Sequence, residues 1–159
     1  MSGCAGYQLG TRSLYAPDIS TVYVPIFESD SFRRNLGERL TEAVVKEIEL
    51  KTPYKVVSTP NADSILTGRL THDTKNVLVE NAADQPRQVE INFRVEVVWR
   101  NSRGDMLRPP NVLTVAPDLV EVNQAATYIA EGGQSNVSAQ HQAIGRLAEQ
   151  IVSTMEMPW

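Results

Sequence analysis

The chain has one cysteine and two histidines, the residue types that most often act as nucleophiles, general bases or zinc ligands. His72 is followed by Asp73 in a predicted strand, whereas His141 lies in a predicted helix with no Glu or Cys one turn away. The sequence has no H-E-x-x-H, C-x-x-C or G-x-S-x-G motif and no Asp-rich calcium loop. We therefore predict no catalytic residue, metal site or cofactor, and we expect His72 to be an ordinary surface residue of a strand.

The cysteine lies in the segment Ser2-Gly3-Cys4-Ala5. Ser-Gly-Cys is the way a bacterial lipobox ends, with small residues that fit a signal peptidase before the cysteine that receives the lipid. Residues 1–17 include several Gly and Ser residues, as in a short tether. We therefore predict that residues 1–17 form a lipidation site at Cys4 and a tether. The alternative interpretation is a free thiol in a frayed N-terminus.

The spacing of apolar residues predicts two amphipathic helices and two short strands outside the centre of the chain. The strands cover 21–27 and 54–57, and the helices cover about 32–50 and 138–155. In the first helix, one apolar ridge recurs every four residues, at Phe32, Leu36, Leu40, Val44 and Ile48. Asp30 or Ser31 is expected to cap its start.

The strongest periodic signal predicts one long strand over 89–100. Its apolar side chains alternate with mostly polar ones: Val89, Ile91, Phe93, Val95, Val97 and Trp99. At about 3.4 Å per residue this strand would span roughly 40 Å, well beyond a usual strand of five or six residues. Its expected partner begins at Ser64 and extends through Lys75 to Glu80. From these two strands we predict a long hairpin with its tip at 81–86. We expect Arg94 and Glu96 of this hairpin to face solvent.

The order of the elements predicts the fold class and the domain organisation. A further strand is expected near 112–115, and the sequence gives no clear assignment for 117–134. Strands clustered between two helices predict an α+β two-layer sandwich, in which a mostly antiparallel sheet of about four strands is packed by two helices. The length of 159 residues fits a single domain, here 18–159.

The charge and hydropathy of the chain disfavour two classes of function. The formal net charge is −4 and the isoelectric point about 5.2, without a dense cluster of Lys and Arg, so nucleic-acid binding is disfavoured. No stretch of the sequence approaches the roughly 20 apolar residues that a membrane-spanning helix needs.

Several segments resemble the LptE family of outer-membrane assembly lipoproteins. Residues 4–9 (CAGYQL) are similar to the start of the mature LptE proteins, and the strand 22–27 and the helix 36–50 follow as in that family. Residues 62–68 (ADSILTG) resemble the opening of a family strand. With the long hairpin and the closing helix, the resemblance covers nearly the whole chain.

The resemblance implies a non-enzymatic lipoprotein at the periplasmic face of the bacterial outer membrane. Such proteins lie inside the β-barrel translocon LptD as plug and assembly partner, and they bind lipopolysaccharide. Ala5 after the lipidated cysteine, rather than Asp, fits outer-membrane sorting. Basic residues that some members use to bind lipopolysaccharide fall on 79–81 and 130–132, which contain no Lys or Arg. Lys75 and Arg87 flank the hairpin tip and are the candidate ligand-binding residues here.

Part of the chain also resembles envelope lipoproteins of the LpoB and CsgG type. The similar segments are 24–27, the helix around 40–42, and 54–57. That resemblance implies a protein that regulates a cell-wall synthase or that assembles into a secretion pore. A third interpretation is a periplasmic scaffold with another protein partner.

Overall fold

The computed structural model describes residues 14–80, 82, 86–107, 120–129 and 135–156. Over these residues the chain forms six strands and two helices. They are β1 (Thr21–Tyr23), β2 (Glu28–Ser29), α1 (Leu36–Lys51), β3 (Lys55–Val57), β4 (Ser64–Glu80), β5 (Pro86–Asn101), β6 (Val120–Ile129) and α2 (Asn136–Ser153).

All six strands belong to one sheet, in the order β3-β1-β4-β5-β6, with β2 beside β4. β1 runs parallel to both of its neighbours, whereas β4, β5 and β6 form long antiparallel ladders. The predicted α+β class with a mostly antiparallel sheet is confirmed. Over the described residues the sheet has six strands rather than about four, because the sequence did not indicate β2 and β6. The strand predicted near 112–115 lies outside the described residues.

The long hairpin is confirmed, and it dominates the sheet. Its ladder runs from the pair Ser64 and Asn101 to the pair Glu80 and Pro86. The alternation in β5 sends one set of side chains into the core: Val89, Ile91, Phe93, Val95 and Val97. Trp99, also expected in the core, is only partly buried.

A β-bulge at Thr71 changes which side chains of β4 face the helices. Leu70 pairs with Val95, and the next registered pair is His72 with Arg94, so one residue of β4 is extra. Before the bulge, Leu70 points into the core; after it, His72 is exposed. The expectation that His72 is a surface residue of a strand is therefore confirmed.

The two helices lie side by side on the apolar face of the sheet and run in the same direction. Tyr15 joins their C-terminal ends, since its hydroxyl donates to the carbonyl of Lys51 at 3.1 Å and lies 3.5 Å from Oε1 of Glu156. The predicted ridge of α1 is buried at Leu36, Leu40, Val44 and Ile48. Each helix therefore directs its N-terminus along the hairpin, away from Tyr15.

The start of α1 differs from the prediction. The helix begins at Leu36 because Asn35 adopts the left-handed conformation, with φ of 64° and ψ of 15°, and its side chain caps no backbone N–H. Phe32, predicted on the buried ridge, precedes the helix and is fully exposed. Ser31, predicted as a cap, instead donates a hydrogen bond to Asp73.

Phe27 is held between α1 and β4 by two glycines. A Cβ atom on Gly37 would lie 2.2 Å from the carbonyl oxygen of Phe27, and one on Gly68 would lie 2.5 Å from its ring. The backbone N–H of Phe27 also donates to the Thr41 hydroxyl at 2.8 Å. The family-like segment 62–68 therefore has glycine as its last residue, Gly68. The Phe27 ring occupies the space that a Cβ atom at this position would need.

Asp63, in the same segment, fixes the start of β1. Its carboxylate accepts hydrogen bonds from the backbone N–H groups of Ser20 and Thr21 at 3.0 and 2.9 Å, and from the Thr21 hydroxyl at 2.9 Å. These bonds, that of Ser20 first, hold the pKa of Asp63 below its usual value.

The lowered pKa of Asp63 predicts a pH dependence of stability. Because the folded state favours the charged form, the contribution is present above the usual pKa of an aspartate, about 4, and is lost as the pH falls through the lowered value. The variant Asp63→Asn should be less stable than the natural chain at pH 7. Denaturant melts should show this difference shrinking as the pH falls below about 4; a difference independent of pH would contradict the assignment.

Candidate functional site: the polar face of the long hairpin

The sheet face opposite the helices is polar along β4, β5 and β6. The alternation that buries one set of side chains sends the other set outward. The outward residues are Arg69, His72, Thr74 and Asn76 on β4, Glu90, Asn92, Arg94 and Glu96 on β5, and Asn123, Ala125 and Thr127 on β6. We call this set the polar face. Among the described elements, both helices lie on the other side of the sheet, so the polar face is a broad surface rich in hydrogen-bonding groups.

A depression of about 370 Å³ lies at the middle of the polar face. Its lining includes His72, Thr74, Asn92, Arg94 and Asn123, with Ala125 beside them. Three of these side chains are held in place, since Arg94 Nε donates to Asn123 Oδ1 at 3.1 Å and Asn92 Nδ2 donates to Glu90 Oε2 at 2.9 Å. We call this depression the amide hollow. Its groups can donate and accept hydrogen bonds with little rearrangement.

The loop before α1 is tied to the hairpin by two ion pairs. Arg69 contacts both carboxylate oxygens of Asp30, at 2.9 to 3.3 Å. Arg33 Nε lies 3.1 Å from Asp73 Oδ2, and the Asp73 side chain is only 4% exposed. Since the Ser31 hydroxyl donates to the same oxygen at 2.7 Å, Asp73 clamps the loop onto β4.

The distal end of the hairpin combines exposed apolar side chains with a cation. Val77, Leu78 and Val79 are each between 45% and 49% exposed. Lys75, a predicted site residue, is exposed and places Nζ 5.9 Å from the centre of the Tyr128 ring. The other predicted residue, Arg87, has its backbone in β5.

The structure keeps the two predicted basic residues apart along the hairpin. Lys75 pairs with Ile91, which lies four residues from Arg87 along β5. Cys4, the predicted lipidation site, lies outside the described residues, as does most of the predicted tether 1–17. Within the described part of the chain, no three His, Cys, Asp or Glu side chains are grouped to hold a metal ion. None of the described helices has the length and hydropathy to cross a membrane.

Sequence reasoning did not identify the amide hollow or the clamp at Asp73. The alternation in β5 marked Asn92 and Arg94 as outward residues, but it could not indicate which side chains of β6 lie beside them. The clamp depends on the bulge at Thr71, which has no signature in the sequence. The run of adjacent polar residues from Thr71 to Asn76 interrupts the alternation of β4, but it does not indicate where the extra residue lies.

Solved structures of several bacterial proteins, two of them lipoproteins, share this fold. PelC of Paraburkholderia phytofirmans, solved as a dodecamer, is 11% identical over 89% of this chain and 92% of its own, with a TM-score of 0.56. Lipoprotein B of Nitrosomonas europaea is 15% identical over 92% and 90%, with a TM-score of 0.51. A minor lipoprotein of Acinetobacter baumannii is 14% identical over 85% and 93%, also with a TM-score of 0.51. At these identities the likeness is one of fold alone.

The sequence itself matches one protein family over most of its length. No curated protein sequence matches the chain significantly. The family model for LptE, whose description is lipopolysaccharide assembly, matches residues 19–155. This match covers both helices and all six strands, and it confirms the resemblance to LptE. The chain therefore belongs to the LptE family of lipopolysaccharide-assembly proteins.

Proposed function

We propose that the chain is a lipid-anchored outer-membrane protein that partners and plugs an LptD-like β-barrel during lipopolysaccharide transport. The observation that carries this proposal is the polar face, which lies opposite the helix layer. The interior of a large membrane β-barrel is polar and filled with water. A sheet face made of Asn, Thr, Arg and Glu side chains suits such an interior, whereas it would gain little by packing against an apolar partner. The proposed role is non-catalytic.

The distal end of the hairpin supports contact with lipopolysaccharide. A lipid of this kind has acyl chains beside negatively charged groups. Leu78 and Val79 offer exposed apolar surface, and the ammonium group of Lys75 lies on the same segment of β4. Arg87 lies beside the tip on the adjacent strand. We assign Lys75 and Arg87 to phosphate contact on this basis.

The proposed anchor is Cys4, joined to the domain by the residues that precede Tyr15, which is buried in the core. With the lipoprotein signal peptide replaced by one that is cleaved without lipidation, Cys4→Ala should prevent lipidation. The protein should then move from the membrane fraction to the periplasmic fraction when the barrel partner is depleted. This expectation follows because a single protein domain without acyl chains loses their burial, about 0.8 kcal/mol per CH₂. Retention in the membrane fraction under these conditions would contradict the anchor.

The partnership is tested by mild-detergent purification of the tagged, full-length lipoprotein from its native envelope, with mass spectrometry of what co-purifies. We expect one large β-barrel protein in a near-equal amount. Recovery of a cell-wall synthase, or of the protein's own oligomer without a barrel, would instead favour the LpoB and CsgG type of function.

Matched variants can test whether the polar face makes the contact. Asn76→Trp adds a large side chain to the exposed polar face and should reduce recovery of the barrel. Arg103→Trp adds the same side chain at an exposed position of the turn after β5 and should leave recovery unchanged. Equal recovery with both variants would refute the assignment of the polar face.

A further inference from the structure

Phe32 is a large apolar side chain that the structure holds in solvent. It is fully exposed, although the residues on both sides of it are fixed to β4. The Ser31 hydroxyl donates to Asp73 Oδ2 at 2.7 Å, and Arg33 Nε lies 3.1 Å from the same oxygen. We call residues 31–35 the displayed loop. Because the backbone beside Phe32 is already ordered, burying its ring against a partner costs little entropy, which is the property of an interface anchor.

A groove of about 460 Å³ lies between the β1–β2 connection and the outer side of β4 and β5. Its lining includes the apolar residues Pro25, Ile26 and Val98 and the charged residues Glu28, Arg69 and Glu96. The connection 24–27 runs beside 66–68 of β4, so it contains one residue more than the strand next to it. This extra residue lets the chain leave the sheet, and Ile26 remains 67% exposed. We call this the acidic groove.

The acidic groove carries more negative than positive charge. Arg69 donates hydrogen bonds to both carboxylate oxygens of Asp30, the residue directly before the displayed loop. The hydrogen bonds of Asp30 first, and then the charges of Glu28 and Glu96, raise the pKa of Arg69. One guanidinium therefore faces three carboxylates, and this excess of negative charge favours a cationic group in the groove.

The displayed loop carries the opposite excess of charge. Arg33 is offset by Asp73, whereas Arg34 is exposed and forms no ion pair with any described residue. In the first turn of α1, Glu38 and Arg39 have opposite charges and balance each other. The loop therefore combines an aromatic ring with an uncompensated guanidinium. This combination is complementary to an apolar groove with an excess of carboxylates.

We propose that two copies of this chain form a dimer in which Phe32 of each copy occupies the acidic groove of the other. In this dimer Phe32 contacts Ile26 and Val98, and Arg34 lies against Glu28. The loop and the groove are adjacent on one surface, so a single two-fold axis brings both pairs of surfaces together. A head-to-tail arrangement would instead leave one groove and one loop unfilled at its ends.

The dimer is weak and reversible, because the loop and the groove together form a small patch. Arg69 and Glu96 belong to the polar face as well as to the acidic groove. The dimer therefore covers part of the surface that we propose for the barrel, and it also covers the exposed ring of Phe32. The inference goes beyond the proposed function and does not depend on it.

Sedimentation equilibrium of the full chain carrying Cys4→Ala, from micromolar to millimolar concentration, tests the proposal. The apparent mass should rise from about 17.6 kDa toward twice this value, and Phe32→Ala should abolish the rise. Because Phe32 is fully exposed, this variant should keep the thermal unfolding temperature of the natural chain. Leu50→Ala removes another exposed apolar side chain and should leave the association unchanged. A constant mass of one chain, or the same association with both variants, would overturn the proposal.

Charge reversal tests the reciprocal arrangement of the two copies. Arg34→Glu and Glu28→Lys each place like charges at both contacts of the dimer, so each variant alone should associate several-fold more weakly. An equimolar mixture restores an opposite pair at one contact and keeps the natural pair at the other, so it should associate as the natural chain does. A mixture that stays as weak as its components would exclude the reciprocal pairing. These measurements use the isolated chain, so their outcome is separate from recovery of the barrel.

Discussion

Replacing Gly37 with alanine should lower the free energy of unfolding by about 2–4 kcal/mol, although alanine is normally the better helix former. The added Cβ would lie 2.2 Å from the carbonyl oxygen of Phe27 and 3.3 Å from its carbonyl carbon. These are backbone atoms, so no side-chain rotation relieves the contact. Either α1 must shift from the sheet, or the segment that leads into β2 must move. Urea denaturation followed by circular dichroism measures the loss.

The chain offers a matched control for this substitution in its other helix. A Cβ added to Gly145 of α2 would meet no atom within 4 Å. Gly145→Ala should therefore raise the free energy of unfolding by about 0.5–1 kcal/mol, the usual gain for Gly to Ala in a helix. Opposite signs for the two variants would identify the close approach of Phe27 as the cause. A loss at Gly145 as large as that at Gly37 would contradict this explanation.

Replacing Phe93 with alanine should cost about 3–5 kcal/mol of stability. Phe93 is among the largest fully buried side chains, at the level of the sheet where Asp73 clamps the loop before α1. The loss combines the transfer of an aromatic ring to water with the cavity left beneath the helices. The same melts should show Thr127→Ala, on the exposed polar face, within about 0.5 kcal/mol of the natural chain. A small effect of Phe93→Ala would show that β5 has a different register.

The core of the sandwich could be predicted because its elements have a simple period. In β5 the apolar residues alternate with polar ones from Val89 to Val97, so the inner and outer faces of this part follow from the sequence alone. The ridge of α1 was equally clear from Leu36 to Ile48. At Phe32 the same spacing was misleading, since Asn35 breaks the helical path one residue before Leu36. Periodicity identifies a face but does not determine where the first turn begins.

The sequence did not reveal β6 because the side chains on its inner face are small or of mixed polarity. Its inward residues are Val122, Gln124, Ala126 and Tyr128, and the Ala and Gln side chains blur the alternation. These residues lie under α2, which itself presents buried alanines at Ala139 and Ala143. Two surfaces with small side chains can approach each other closely. Such a strand can therefore pack well even when its inward and outward residues differ little in hydrophobicity.

The candidate site could be predicted only in part, because it depends on residues brought together from three strands. The position of His72 on a strand surface followed from the sequence, and the basic residues flanking the tip were apparent. The bulge at Thr71 was not, although it determines both the outward turn of His72 and the inward turn of Asp73. A single inserted residue in a ladder leaves no compositional trace.

The position of β1 has a mechanical consequence. Tension that reaches the domain from the residues before Tyr15 passes the buried side chains of Tyr15 and Ile19. It then acts on β1, a strand held on both sides by parallel partners, β3 and β4. Pulling along such a strand loads its hydrogen bonds in shear, so the bonds to both partners must break together. The Asp63 carboxylate adds three further bonds at the loaded end. An edge strand would instead unzip one bond at a time. The fold thus resists force at the end of the chain where the proposed tether would apply it.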